Sequence, residues 1–243
     1  MLVHGGGFDA RCWDLMLPHL RHEAVAVDLP GRGGVLPPRR EVTVSDFVAH
    51  VAGVITERDL RNVVLVGHSM AGITIPGVAD RTPERIAHLV FVSCTVPADG
   101  ASVMGSLDVD VDSLASGGAG PGAESGSGSE SGSLDPALAE AIFCNDMDEA
   151  QRAWTVARLV PEAPGVITEA VDQRGLRRPI PRTWVRLLQD VIIPPEQQDR
   201  FAETVGGCRV VELNAAHMAM ISRPAELAAI LDGVADREAG GGQ

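Results

Sequence analysis

The most informative segment for the fold is VVLVGHSMAGI, at residues 63–73. Its first residues, Val63–Val66, form an apolar run typical of a strand that is buried on both faces of a parallel sheet. A Gly-x-Ser-x-Ala-Gly sequence follows, and the residues after it predict a helix. Because the residues at 67 and 71 are small, the pattern predicts a sharp strand-to-helix turn that projects the hydroxyl of Ser69.

Ser69 is therefore a candidate nucleophile. The positive N-terminal end of the following helix would point toward negative charge that develops near this serine. A structural alternative stays open, in which Ser69 only caps the helix in a tightly packed turn.

Short apolar runs of the same kind alternate with helical patterns along the chain. The predicted strands are Leu2–His4, Ala24–Asp28, Val63–Val66, Leu89–Val92, Trp184–Leu188 and Val210–Leu213. The clearest helix is Val44–Glu57, which follows a Thr43/Asp46 capping pair. A short helix is predicted to begin at Thr82-Pro83-Glu84, and two more are predicted at Pro194–Val205 and Pro224–Leu231. This alternation predicts the α/β class, with a mostly parallel central sheet of about six strands flanked by helices.

The long connection between the fourth and fifth predicted strands breaks this rhythm, since one crossover needs only a dozen or so residues. Ser116–Ser133 is nearly all Gly, Ser and Glu, which predicts a flexible loop. Helices are predicted on its C-terminal side at Pro136–Phe143, Glu149–Leu159 and Gly165–Val171. We therefore expect a single domain over residues 1–243, with a small helical cap at 96–180 inserted after the fourth strand.

A serine hydroxyl needs a base that removes its proton. His217 is the candidate, because it follows the last predicted strand, whereas the other histidines adjoin Ser69 or lie in the first loop, in helices or at a strand start. An acid must orient the imidazole, and Asp190 follows the fifth predicted strand. Alternatives remain: His217 as an ordinary loop histidine, Asp190 as a helix-starting carboxylate, and Asp99 as the acid, although the fourth strand ends only in Ser93, Cys94 and Thr95.

The glycine run His4-Gly5-Gly6-Gly7-Phe8 follows the first predicted strand. Such a run lets backbone N–H groups approach a developing oxyanion, and the expected donors are the N–H groups of Gly6 and Met70. The alternative is a phosphate-binding turn. That alternative lacks the G-x-G-x-x-G spacing, and only Asp28 is placed to bind a ribose.

Charge and composition exclude several classes of function. The chain has 243 residues with 33 acidic and 20 basic side chains, and a net charge of −13 argues against a nucleic-acid partner. Every basic residue is arginine, which excludes a Schiff-base lysine, a pyridoxal phosphate anchor and a Gly-Lys-Ser/Thr phosphate loop.

The cysteines and the apolar runs point to the cell interior. The four cysteines are scattered without a Cys-x-x-Cys pair, so neither a disulfide framework nor a metal site is predicted, and no cofactor is expected. Without a recognisable signal peptide or a membrane-length apolar run, we expect a soluble cytoplasmic protein with no membrane partner.

Six stretches together carry a family resemblance: HGGGFDARCW (4–13), DLPGRGG (28–34), GHSMAG (67–72), FVSCTVPADG (91–100), LLQDVIIPPE (187–196) and AAHMAMISRP (215–224). They resemble the α/β-hydrolase superfamily, in particular its branch of plant hydroxynitrile lyases, methyl-ester esterases and bacterial esterase relatives. The resemblance spans Leu2 to about Leu231, apart from 116–133. It implies Ser69 as nucleophile, Asp190 as acid, His217 as base, and Gly6 with Met70 as oxyanion donors.

Two positions depart from the lyases of this branch, which carry a threonine at Gly5 and a lysine at Met218. Without that lysine, which would hold the leaving cyanide, cyanohydrin cleavage is disfavoured. The resemblance also implies a first strand longer than Met1–Val3.

We therefore expect a serine hydrolase that cleaves small to medium hydrophobic carboxylic esters through an acyl-enzyme. Its small-molecule ester substrate would lie in an apolar pocket. The residues expected to line it are Phe8, Met104, Phe143, Trp154, Leu159 and Met218. Two alternatives remain: a lyase, cyclase or transacylase of small-molecule biosynthesis, and a non-catalytic binding protein on the same scaffold. Assembly as a homodimer is also left open.

Overall fold

A computed structural model describes residues 1–32, 39–107 and 134–240. The segment 116–133, for which the sequence predicts a flexible loop, lies outside the described residues.

The centre of the structure is a six-stranded sheet in which every neighbouring pair of strands is parallel. The strands lie in the order β2-β1-β3-β4-β5-β6, so the chain reverses its direction of travel across the sheet after β2. Their bounds are β1 Leu2–Val3, β2 Ala26–Val27, β3 Val63–His68, β4 Ile86–Val92, β5 Arg182–Leu187 and β6 Arg209–Leu213. The predicted parallel α/β sheet is confirmed.

Helices cover the sheet. They are α1 Val44–Glu57, α2 Ile75–Arg81, α3 Pro136–Phe143, α4 Glu149–Val156, α5 Pro164–Thr168, α6 Pro195–Val205, α7 Ala219–Ser222 and α8 Pro224–Gly240. The first has the predicted capping box, in which the Thr43 hydroxyl accepts from the Asp46 N–H and the Asp46 carboxylate accepts from the Thr43 N–H. No helix in the described ranges is both long enough and apolar enough to span a bilayer.

Several helix predictions were wrong in their bounds. The last helix continues to Gly240 because Leu227, Leu231 and Val234 all bury against the core, which extends the packed face beyond the predicted end. The short helix predicted to begin at Thr82-Pro83-Glu84 is a single 3-10 turn at Pro83–Arg85. The predicted helices Glu149–Leu159 and Gly165–Val171 end earlier, at Val156 and Thr168.

The core has two layers, one on each face of the sheet. Successive strand residues alternate between them: Leu65 and Leu89 belong to one apolar cluster, and Val66 and Val90 belong to the other. This alternation follows from the two-residue period of a strand. Apolar residues on both faces explain why these strands are near-continuous apolar runs.

Candidate active site

Ser69 follows directly on His68, the last residue of β3, and begins a 3-10 turn over Ser69–Ile73 that leads into α2. Its φ is +53°, a left-handed conformation that is uncommon for a residue with a side chain. A Cβ built at Gly67 would lie 3.0 Å from Ile75 and 3.2 Å from the Ala71 Cβ. The turn therefore has the strained, tightly packed geometry expected at a nucleophile elbow.

Three side chains from distant parts of the chain form one hydrogen-bonded series. The Ser69 Oγ lies 2.9 Å from His217 Nε2, and His217 Nδ1 lies 2.6 Å from Asp190 Oδ2. Because a carboxylate can only accept, the Nδ1 atom carries the imidazole proton, and Nε2 is left to accept the proton of the Ser69 hydroxyl. Asp190 and His217 are both buried, so this series is shielded from water except at its serine end.

The Asp190 carboxylate is held by four donors. Besides His217, its Oδ2 accepts from the Ser93 hydroxyl at 2.6 Å, and its Oδ1 accepts from the N–H groups of Ile192 at 2.8 Å and Ile193 at 3.0 Å. Burial raises the pKa of Asp190, but the charge interaction with His217 and these hydrogen bonds outweigh it and leave the pKa below its ordinary value. The carboxylate is therefore ionised at neutral pH.

Ser93 is a residue of this site that the sequence reasoning missed. It follows β4 directly with φ of +40°, and its side chain is fully buried. The sequence placed it at the right strand end, but the direction of its hydroxyl depends on that unusual backbone conformation.

Asp99, the alternative acid, makes different contacts. Its carboxylate accepts from the Gln173 N–H at 2.9 Å and lies 3.7 Å from the Arg177 guanidinium. The hydrogen-bonded series through Ser69 and His217 contains Asp190 and not Asp99.

The glycine turn (Gly5–Phe8) lies against the serine. A Cβ built at Gly5 would lie 2.7 Å from the Ser69 Cβ, closer than real Cβ atoms approach, so a side chain there would force the turn or the elbow to shift. A Cβ built at Gly6 would lie 3.4 Å from the Met70 Sδ. Gly6, one predicted donor residue, thus lies against the side chain of Met70, the other predicted donor residue, which follows Ser69 in the chain.

His4 fixes the start of the glycine turn. Its Nε2 accepts from the Leu29 N–H at 3.1 Å, so its Nδ1 carries the proton and donates to the Gly5 carbonyl at 2.8 Å. Burial, followed by the charge of Arg32, lowers the pKa of His4 to about 3. The ring therefore stays neutral, and the bond to Gly5 persists, throughout the pH range in which enzymes work.

His68 packs against the His217 imidazole. Its ring centroid lies 4.6 Å from that of His217, and its Nε2 donates to the His217 carbonyl at 2.8 Å. Burial and the neighbouring imidazole lower the pKa of His68 well below its ordinary value. It acts as a neutral support for the loop that carries His217.

Five of the six predicted pocket residues belong to one apolar cluster. Phe8, Phe143 and Met218 are buried members, and Trp154 and Leu159 pack against them. The Phe8 and Phe143 rings meet edge to face at 5.1 Å, and Phe143 lies 5.8 Å from the His217 ring.

Met104 departs from this group. Its side chain is 47% exposed, and it is in neither apolar cluster. The structure therefore does not place Met104 with the other predicted pocket residues, because its backbone is tied to Ile167, in α5, on another part of the segment between β4 and β5.

Glu162 is a second residue that the sequence reasoning missed. It lies in the α4–α5 loop (residues 157–163), and its Oε2 accepts from the Gly7 N–H at 3.0 Å. Its Oε1 accepts from the buried Arg32 guanidinium. No sequence signal marks this pair, because its members are separated by 130 positions and lie in irregular loops.

The four cysteines of the chain are all free thiols. Within the described ranges, no cluster of three or more His, Cys, Asp and Glu side chains is arranged to hold a metal ion.

The profile of the alpha/beta hydrolase family matches residues 1–230. Methylesterase 7 of Arabidopsis thaliana is 27% identical over 98% of this chain and 96% of its own length. Polyneuridine aldehyde esterase of Rauvolfia serpentina is 28% identical over 97% of this chain and 95% of its own length. Among solved structures, an extracellular alpha/beta-hydrolase from a Paenibacillus species aligns with a TM-score of 0.79 at 25% identity, covering 95% of this chain and 96% of that one.

Proposed function

The chain belongs to the alpha/beta hydrolase family, and we propose that this carboxylic ester hydrolase works through Ser69, His217 and Asp190. The observation that carries the proposal is the 2.9 Å contact between the Ser69 Oγ and His217 Nε2. A contact of that length is within reach of direct proton transfer. The esterase names of the full-length relatives support the same reaction class.

In the first half-reaction, the Ser69 Oγ attacks the ester carbonyl carbon while its proton passes to His217 Nε2. The carbonyl oxygen becomes an oxyanion that the N–H groups of Gly6 and Met70 stabilise. When the tetrahedral adduct collapses, the C–O bond to the alcohol breaks, and His217 returns the proton to the departing alcohol oxygen. The acyl group stays on Ser69.

In the second half-reaction, a water molecule attacks the acyl carbonyl and gives its proton to His217. The bond to Ser69 then breaks, the serine regains a proton, and the free acid leaves. Asp190 stays ionised in both steps, because its lowered pKa favours the charged form that stabilises the imidazolium.

The proposed substrate class rests on the apolar cluster that contains Phe143, whose ring lies 5.8 Å from the His217 ring. Phe8 and Met218 are buried members of this cluster, and Trp154 and Leu159 pack against it, which fits a small to medium hydrophobic ester. Of these residues, Phe143, Trp154 and Leu159 come from α3, α4 and the residues after them. We therefore propose that residues 96–180 act as a substrate-binding cap inserted into one domain that covers 1–243.

The test is the turnover of p-nitrophenyl acetate and p-nitrophenyl butyrate. The Ser69→Ala variant should lose roughly 10⁴- to 10⁶-fold in kcat, as serine hydrolases do without their nucleophile. Ser45→Ala, on the exposed surface of α1, is the matched serine control and should keep the wild-type rate. Equal rates in wild type and Ser69→Ala would overturn the proposal.

A fluorophosphonate probe separates hydrolysis from simple ligand binding. It should label wild type at Ser69 and leave Ser69→Ala unlabelled, because only an activated hydroxyl attacks phosphorus at a useful rate. Product analysis then distinguishes hydrolysis, which releases an acid, from lyase, cyclase or transacylase chemistry. Cytoplasmic location and a homodimer stay predictions, the second testable by sedimentation velocity.

A further inference from the structure

The glycine turn has little ability to hold its own shape. Gly5, Gly6 and Gly7 are consecutive, and Gly7 adopts a φ of +72°. Glycine has the widest conformational freedom of any residue, so a run of three leaves the direction of the Gly6 N–H undetermined by local sterics. An oxyanion hole works only when its donors are fixed before the charge develops. Something outside the turn must therefore hold it.

Two hydrogen bonds from the α4–α5 loop restrain the turn at Gly7. The Val160 N–H donates to the Gly7 carbonyl at 2.9 Å, and the Gly7 N–H donates to Glu162 Oε2 at 3.0 Å. Both peptide groups that flank the Gly7 Cα are thereby fixed, and one of them is the peptide that joins Gly6 to Gly7. The Gly6 N–H belongs to the preceding peptide, whose carbonyl accepts from His4, so the loop restrains the turn on the C-terminal side of Gly6.

Arg32 fixes the next carbonyl and the carboxylate together. Its Nε donates to the Phe8 carbonyl at 2.9 Å, and its Nη2 donates to Glu162 Oε1, which also accepts from the Ala163 N–H at 2.7 Å. The Arg32 side chain is 1% exposed and that of Glu162 is 13% exposed. A buried pair with its hydrogen bonds satisfied has a defined geometry, so it can position the backbone that it contacts.

The pair lies directly beside the proposed donors. A Cβ built at Gly6 would lie 3.1 Å from Glu162 Oε2 and 3.4 Å from the Met70 Sδ. A lone carboxylate at this place would repel the oxyanion, and the guanidinium of Arg32 offsets that charge.

From these contacts we propose that Glu162 and Arg32 are positioning residues of the oxyanion hole, and that the α4–α5 loop is a structural part of that hole. The proposal rests on the proposed function, because it presumes that an oxyanion forms at Ser69. Neither residue needs to touch the substrate. They act by holding the Gly6–Gly7 peptide and the Phe8 carbonyl, which restrains the backbone on the C-terminal side of Gly6, and by making the hole depend on contact with the α4–α5 loop.

The test compares Glu162→Ala with Glu169→Ala. Glu169 is the matched control, because its carboxylate likewise accepts from a distant backbone N–H, that of Val44 at 2.9 Å, without contacting the glycine turn. Glu162→Ala should lower kcat about 10- to 100-fold, less than the 10²- to 10³-fold cost of deleting a donor. Its KM should change less than about threefold, and Glu169→Ala should keep kcat within about twofold.

A trifluoromethyl ketone supplies a readout that loss of folding alone would not move. The ketone adds to the serine and forms a tetrahedral oxyanion. In Glu162→Ala its inhibition constant should therefore rise by the same factor by which kcat/KM falls. Inhibition by the product acid, which forms no oxyanion, should stay unchanged. The double variant Arg32→Gln/Glu162→Gln removes both charges together, so neither is left buried alone, and it should show the same selective loss.

Several results would overturn this inference. They are an unchanged kcat in Glu162→Ala, an equal loss in Glu169→Ala, and a fall in kcat with no change in ketone affinity. If wild type cleaved no ester and resisted the fluorophosphonate, the proposed function would fail and this inference with it. If wild type is active and Glu162→Ala keeps the wild-type kcat, only this inference is overturned.

Discussion

The hydroxyl of Ser93 and the imidazole of His217 share one oxygen of Asp190, each at 2.6 Å. The two donors come from the ends of different strands, and Ser93 reaches the carboxylate only through its left-handed backbone, with φ of +40°. The carboxylate that orients His217 is thus itself oriented by a second buried donor.

Removing this donor should change the pH dependence of catalysis. In Ser93→Ala the Asp190 carboxylate loses one of the hydrogen bonds that hold its pKa below its ordinary value, so it accepts a proton more readily as the pH falls. The acidic limb of the kcat/KM profile should move to higher pH by roughly half a unit to one unit. A shift of that size corresponds to part of the free energy of one hydrogen bond to a charged group. Alanine keeps the Cβ, so the backbone strain is unchanged.

Cys94→Ser is the control for that experiment. Cys94 is the buried neighbour whose Sγ donates to the Gly67 carbonyl, and serine retains the donor. Its profile should overlay that of wild type. A Ser93→Ala profile that also overlays wild type would show that the hydroxyl does not influence the pKa of Asp190.

The identity of the acid can be tested by exchanging one atom. Asp190→Asn should lower kcat by about 10⁴-fold, because the amide can donate to Nδ1 and favour the wrong imidazole tautomer. Asp99→Asn should keep most activity, since Asp99 contacts Gln173 and Arg177 instead. Single-turnover kinetics with p-nitrophenyl butyrate would measure both variants, and the reverse ranking would reassign the acid.

The buried His4 should make the fold sensitive to acid. Its folded pKa is about 3, below its ordinary value of 6.5, so its stabilising contribution is complete above pH 6.5 and is lost as the pH falls toward 3. Urea unfolding between pH 7 and pH 5 should therefore show a falling free energy of unfolding. In His4→Asn, the number of protons taken up on unfolding near pH 5 should decrease by about one. The slope of the free energy of unfolding against pH should then be smaller by ~1.4 kcal/mol per pH unit. An unchanged slope would contradict the buried neutral ring.

The close approach of Gly5 to Ser69 predicts a steric effect. Gly5→Ala would place a Cβ 2.7 Å from the Ser69 Cβ, which cannot rotate away, so the glycine turn or the elbow must shift. We expect a loss of roughly 1–3 kcal/mol in the free energy of unfolding, as for overpacking in general, and at least about a tenfold loss in kcat.

Gly53→Ala provides the contrast, because a Cβ at that position of α1 meets only the Glu57 Oε1 at 3.9 Å. It should stabilise the protein by roughly 0.5–1 kcal/mol. Thermal unfolding measures both variants, and a stable, fully active Gly5→Ala would mean that the turn adapts freely.

Features with a local cause could be predicted from the sequence. The helix Val44–Glu57 was predicted with its observed bounds, because its capping box and its apolar spacing are both patterns of residues close together in the chain. The strand-to-helix turn at Ser69 was likewise predictable, since its small residues are adjacent in the chain. The last helix was predicted too short, because burial against the core, and not local pattern, extends it to Gly240.

The pattern of residues is sufficient to predict that apolar strands alternate with helices, and hence that chemically active loops meet at one edge of a parallel sheet. Which atoms of those loops come into contact depends on how the chain packs. The second donor to Asp190 depends on a backbone angle at Ser93, and the support of the glycine turn depends on a carboxylate 155 positions from Gly7. Such contacts cannot be predicted from local sequence, because packing sets a hydrogen bond between distant loops and the bond does not constrain the residue pattern of either loop.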